Sequence, residues 1–266
     1  MPIHDIHHGI VYRSEQEFCG WPYYCGLWRP PPRGPGTRVP PVPRAHGRRG
    51  QISHSRLTVG QGRLHTIRSR DGGTTWDPAT LDPVFTLATP AAEILAEGGE
   101  SYDDEAPLDF LDGNVIVMAG AVPALLKPDS RAWLRASADG GRTWRRPILL
   151  PLGNLPNVTA PGPPTVRADG MALLGVSITS QDGWSNWPAI YASPDGRRWS
   201  FLSLVAPVKE GGSAVSDRAG QILFGAIRQF YARPLVLRDG RVLCSVRFQR
   251  DARGIFWTDL YESQDG

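Results

Sequence analysis

The chain has 266 residues, 41% of them hydrophobic, with a formal net charge of +3, enough apolar content for one sizeable core or one repeat array. It contains no run of about 18 apolar residues, and residues 1–13 carry three histidines and Asp5 in place of a basic-then-apolar leader. A membrane span and an export signal are therefore not expected, and the default location is cytoplasmic.

In chain order, His4, Asp5, His7 and His8 form a terminal cluster with no second ligand set, which reads as a solvated tail, so no metal or other cofactor is expected. Cys19, Cys25 and Cys244 cannot all pair and lack zinc-site spacing, and they read as inert thiols. No acid occurs between Glu17 and Asp71, a stretch holding ten arginines. That stretch carries +10 and the remainder −7, so the basic character belongs to one segment.

Its centre, residues 29–50, has seven prolines, six arginines and four glycines, a composition that predicts no regular sheet. A basic polyproline-like insertion for an acidic polymer, a loop, or out-of-frame translation of GC-rich DNA each fit it. No nucleic-acid partner is expected, because no stacking aromatics are interleaved with the arginines.

Beyond about Arg63 a repeat emerges. Ser69-Arg-Asp71-Gly-Gly73-Thr-Thr75-Trp76 and Ser137-Ala-Asp139-Gly-Gly141-Arg-Thr143-Trp144 agree at six of eight positions. Ser193-Pro-Asp195-Gly-Arg-Arg-Trp199 is one residue shorter, and Ser263-Gln-Asp265-Gly266 is a fourth copy. Ser and Asp side chains can bond backbone amides of a tight turn while glycine supplies positive φ. The Trp then opens the next strand and buries against a neighbouring sheet.

Between the copies, Asp-Gly turns at 112–113, 169–170 and 239–240 precede apolar runs that read as earlier strands of the same units. A short helix is expected only at Pro90 to Glu97. The fold class is thus all-β, with the whole of 1–266 as one domain built from four-stranded antiparallel blades. Successive motif aspartates are 68, 56 and 70 residues apart, which leaves room for about four to five blades.

Ser-x-Asp-x-Gly-x-Thr-Trp resembles the Asp-box, or BNR repeat, of the sialidase (neuraminidase) superfamily, whose members are six-bladed β-propellers. The resemblance covers most of the chain from about Arg56 and is specific for architecture; function on such a fold depends on the site. It implies a glycosidase with an arginine clamp on a sugar carboxylate, an aspartate acid/base, and a tyrosine nucleophile paired with a glutamate.

Carried over residue by residue, Tyr12-Arg13 is similar to the element supplying the first arginine, without its Ile-Pro. Glu210 followed by an apolar strand ending in Arg228 is similar to the segment with the glutamate and second arginine. Arg233 and Arg247 are alternatives for the third. The family's aspartate has no counterpart before Asp71, which leaves Asp103, Asp104 or Glu105, and Tyr231 and Tyr261 are stand-ins for the nucleophile. The resemblance implies a carbohydrate partner, such as a sialic-acid glycan, and hydrolysis of it. The competing expectations are a non-catalytic glycan- or protein-binding propeller and, less favoured because no histidine follows His65, a polysaccharide lyase.

Overall fold

A computed structural model describes residues 9–15, 18–19, 37–39, 44–45, 63–86, 90–122, 129–179, 186–206, 215–216, 222–224, 227–250 and 255–265. The chain divides into two compact units, Met1–Pro90 and Ala91–Gly266. Among the described residues no helix is long and apolar enough to cross a membrane.

In the first unit, one sheet joins β1 (Phe18–Cys19), β2 (Thr37–Val39), β3 (Arg44–Ala45), β4 (Arg63–Ser69) and β5 (Asp77–Thr86). The strand β4 is central: it pairs antiparallel with β2, β3 and β5. Finding β2 and β3 inside 29–50 departs from the composition-based expectation of no sheet there. Both are short runs free of proline, so each can supply ladder amides that the prolines around them cannot.

The second unit opens with α1 (Pro90–Glu97), over the residues where a helix is expected. Proline suits a first helical turn because its missing amide would be unbonded there. Among the described residues three sheets of three or four strands follow, with one two-stranded pair between the second and the third. The first is β6 (Ile116–Val122), β7 (Arg131–Ser137) and β8 (Ile148–Leu149). The second has four strands, β9 (Thr165–Val166), β10 (Ala172–Thr179), β11 (Asn186–Ser193) and β12 (Ser200–Leu204), in sequential antiparallel order. A two-stranded pair, β13 (Val215–Ser216) with β14 (Ile222–Phe224), precedes the third sheet of β15 (Ile227–Val236), β16 (Val242–Arg250) and β17 (Ile255–Glu262).

Strand β10 is buried along its full length, and its two faces serve different cores. Leu174, Val176 and Ile178 pack with Val117, Leu134, Leu150, Tyr191 and Trp199. Leu173, on the opposite face, packs with Ile190, Ala232, Val246 and Phe248. That division follows from the two-residue period of a strand. At the centre of the second face is Gly175, where an added Cβ would lie 2.0 Å from the Ala232 carbonyl oxygen. The missing side chain is what lets β15 approach β10.

The Ser-x-Asp turns follow one pattern. Ser137 Oγ donates to Asp139 at 2.8 Å and accepts from Gly141 N at 2.6 Å, while Thr143 N and Oγ1 donate to the Asp139 carboxylate at 2.9 and 2.7 Å. The Ser69 turn repeats this through Asp71, Gly73 and Thr75. At Ser193, Gly196 N reaches the serine, and Arg197 reaches Asp195 from both its backbone and its side chain. Ser263 Oγ donates to Asp265 at 2.8 Å. The tryptophans differ: Trp199 is 3% exposed, whereas Trp76 and Trp144 are only half-buried, so the expected deep burial holds for one of the three. Trp199 has Phe110 edge-on at 6.0 Å and the shorter turn beneath it.

Burial pulls the Asp139 carboxyl upward, but the bonds from Thr143, Ser137 and Arg142 outweigh it and hold the pKa at about 2. Asp71 is likewise lowered, chiefly by the Thr75 hydroxyl and amide. A depressed pKa contributes stability above the unfolded value, about 3.9, that is lost as pH falls through the folded one. Unfolding midpoints are expected to drop between about pH 4 and about pH 2, with a shallower drop in Asp139→Asn; equal slopes in urea titrations would remove this turn as the cause. Gly175→Ala is expected to lose about 1–3 kcal/mol in the same assay, since backbone must move to make room.

Candidate functional site

The two ends of the second unit's sheets are distinct. Gly140 N, in a Ser-x-Asp turn, donates to Asn114 O in an Asp-Gly turn at 2.8 Å, and Ser263 N donates to Val242 O at 2.9 Å. Both kinds of turn therefore share one end. The paired strand ends Thr179 and Asn186 of β10–β11, and Arg250 and Ile255 of β16–β17, lie at the other.

Asp103 and Asp104 belong to the turn end. Asp103 accepts from Nε and Nη2 of Arg198, just past the Asp195 turn. Asp104 accepts from Arg146 Nη2 at 2.7 Å and Glu105 from Arg146 Nε at 3.1 Å. The Arg146 guanidinium also lies 3.9 Å from the Tyr102 ring centroid. Backbone bonds add to the clamp: Tyr102 N donates to Arg197 O and Leu108 N to Asp195 O. The Arg146 hydrogen bond lowers the Asp104 pKa, so this carboxyl stays ionised at neutral pH, and a carboxylate has no proton to give.

Three of the four expected substrate arginines share the β15–β16 hairpin. Arg228 pairs with Gln249 near the loop end, Arg247 pairs with Phe230, and Arg233 pairs with Ser245 beyond a register shift. Arg13, exposed, belongs to the first unit. Glu210 lies outside the described residues, as do His4, Asp5, His7, His8 and Cys25. Tyr261, on β17, pairs with Cys244, and burial raises its pKa.

The register shift is a kink at Tyr231, whose φ is 57°, a region that bulky residues rarely adopt. Its amide donates to Ser177 Oγ at 3.2 Å. Ser177 is fully buried and exchanges two 2.8 Å backbone bonds with Thr159, so the β10 position that holds the kink is itself fixed by the 157–162 segment. Arg233 is half-buried. Its Nη1 donates to Ala232 O at 3.1 Å, its guanidinium lies 5.6 Å from the Tyr231 ring centroid, and a Cβ on Gly162 would come within 2.5 Å of Nη1.

Sequence reading did not single out Ser177, Gly175 or Gly162. A signal exists for Gly175: a lone glycine within an apolar strand marks close backbone approach. Farther along the same strand, Asn157 donates to Thr179 O and accepts from Thr179 N at 2.8 Å, while Thr179 Oγ1 donates to Asn186 at 2.8 Å. These bonds close the loop end of the second sheet. Gln229, 2% exposed, has an Oε1 that makes no hydrogen bond. Among the described residues no group of three His, Cys, Asp or Glu side chains could hold a metal ion.

Behind the kink lies Cys244, a free buried thiol. Burial pushes its pKa up to about 11, against an opposing pull from the Arg233 amide and charge. A protonated thiol is a poor nucleophile. Iodoacetamide at pH 8, followed by peptide mass mapping, is expected to leave Cys244 unmodified until denaturant is added; fast labelling of the native protein would contradict its burial.

No family model matches the sequence, and no curated protein matches it. Among solved structures, an α-L-arabinanase from Penicillium chrysogenum aligns with a TM-score of 0.52 at 13% identity, over 92% of this chain and 64% of that one. A Hadza microbial sialidase aligns at 0.49 and 14% identity, over 85% and 44%. A Bombyx mori GH32 β-fructofuranosidase aligns at 0.47 and 13%, over 91% and 49%. The chain thus spans roughly half to two thirds of these structures. The likeness to the arabinanase, with the antiparallel sheets, establishes a β-propeller type of fold as found in glycoside hydrolases.

Proposed function

We propose that this chain is a sialidase-like carbohydrate-active propeller that takes an acidic sugar, such as a sialic acid, on the β15–β16 hairpin of its second unit. The observation that carries the reading is the sharing of that one hairpin by Arg228, Arg233 and Arg247. A planar guanidinium can hold a carboxylate by two parallel charge-assisted bonds, so a cluster of arginines recognises an acid in a way that lysines do not. As a glycosidase, the chain would use Glu210 to polarise a tyrosine that attacks the anomeric carbon, while a protonated carboxyl gives its proton to the departing oxygen.

A second reading, recognition of the glycan without turnover, has its own support. Asp103 and Asp104 are held in ion pairs at the turn end, and the lowered Asp104 pKa is the wrong direction for a proton donor. An acidic-sugar lectin needs the arginines and no such donor.

The two readings separate in one experiment with the intact chain. Arg228→Ala is expected to weaken binding of N-acetylneuraminate by about 1.5–3 kcal/mol, the scale of hydrogen bonds to a charged group, in isothermal titration, with the circular dichroism spectrum unchanged. Unaltered affinity removes Arg228 from the site. Release of product from a fluorogenic α-sialoside, abolished in Glu210→Gln, would favour hydrolysis; binding with no release would favour the lectin reading.

A further inference from the structure

Tyr231 occupies a conformation that its side chain disfavours. A left-handed backbone at a bulky residue persists only where the surroundings over-determine it, and such positions concentrate at functional sites. Here the surroundings are identifiable: φ is 57°, the amide is bonded to the buried Ser177 hydroxyl, and the next carbonyl, that of Ala232, is pressed against Gly175. The kink produces the register shift between Phe230 and Arg233. Without it, the strand would keep its alternation and Arg233 would move by one residue relative to β16, to the other face.

The guanidinium that results is confined on several sides. It is bonded to the Ala232 carbonyl, stands over the Tyr231 ring at cation–π range, and fills the space left by Gly162. We infer that Tyr231 is a positioning residue, held by Ser177, that fixes the Arg233 guanidinium for recognition of a carboxylate. The recognition step rests on the acidic-sugar reading above; the positioning step does not. Pre-ordering an arginine matters because its side-chain entropy otherwise counts against every bond it forms to a ligand.

Glycine accepts positive φ without cost, so Tyr231→Gly keeps the backbone of the kink while removing the ring. Tyr231→Asn, also compatible with left-handed backbone, is the second variant should the first fail to fold. In heteronuclear NMR of the intact chain, with the Arg233 Nε–Hε signal assigned by Arg233→Lys, both variants are expected to shift that signal toward the position of a free arginine. The thermal midpoint is expected to hold or rise. Ser177→Ala is expected to move the signal in the same direction by a smaller amount.

Titration with N-acetylneuraminate and glucuronate, with galactose as the neutral control, then reads the consequence: affinity for the acidic sugars falls about tenfold in Tyr231→Gly and galactose is unaffected. An Arg233 signal that stays in place in a folded Tyr231→Gly or Tyr231→Asn overturns the inference. A wild-type chain that binds neither acid, while its Arg233 signal still depends on Tyr231, overturns the acidic-sugar reading and leaves the positioning role standing.

Discussion

The approach of β15 to β10 at Gly175 is the contact on which the candidate site depends. A backbone carbonyl can reach that close to a strand only where no Cβ intervenes. Once Ala232 is seated there, Tyr231 has to turn into the left-handed region to keep its amide on Ser177, and the ladder to β16 has to skip. The side-chain faces of β15 before and after the skip are thereby decoupled. An uninterrupted strand would present residues at i and i+2 on the same face and could not set Arg233 independently of Arg228. The arginine geometry is therefore a consequence of a packing contact between sheets, and the hydrophobic cluster of Leu173, Ile190, Val246 and Phe248 holds that contact together.

The two ends of the second unit's sheets are stabilised by different physics. At the turn end, Ser and Asp side chains satisfy amides that would otherwise be unbonded, and Asp103, Asp104 and Glu105 clamp the 101–108 segment to the turns through Arg198 and Arg146. Exposed pairs of this kind contribute little each, but they are arranged as a network with backbone bonds. At the loop end, what is described is a closed hydrogen-bonded set, Asn157, Thr179 and Asn186, capping one sheet. A fold that concentrates its repeated turn chemistry at one end leaves the other free for different loops, which is how one propeller architecture comes to host many sites.

The repeat, the Asp-Gly turns, the strand order they imply and the helix at Pro90–Glu97 were all legible in the sequence, because each rests on chemistry within a few residues. The site was legible only in part. Arg228, Arg233 and Arg247 stand out in the sequence through the family resemblance, and their sharing of one hairpin follows from their closeness along the chain. The partners of Asp103 could not, because Arg198 is 95 positions away and only tertiary packing joins them. Ser177 carries no motif at all; its role arises from a kink two sheets share. The burial of Trp199, in contrast with Trp144, depends on what faces each ring, and Phe110 and Leu108 are supplied by a distant segment. The short strands at Thr37–Val39 and Arg44–Ala45 show that a proline-rich composition limits strand length more than it forbids pairing.

Charge placement bears on the choice between hydrolysis and binding. A general acid at neutral pH needs a carboxyl raised by burial or by a neighbouring carboxylate. In the 103–105 cluster the neighbours are guanidinium groups, and Asp104 and Arg146 each deepen the ionisation of the other. Releasing a proton donor from such a cluster would require breaking the clamp that ties the 101–108 segment to the turns. The same residues cannot hold that clamp and give up a proton at the opposite end of the sheet. Turnover as proposed would require a proton donor other than the clamped Asp104, while the proposed carboxylate recognition would require no such donor, only arginines such as those carried by β15 and β16.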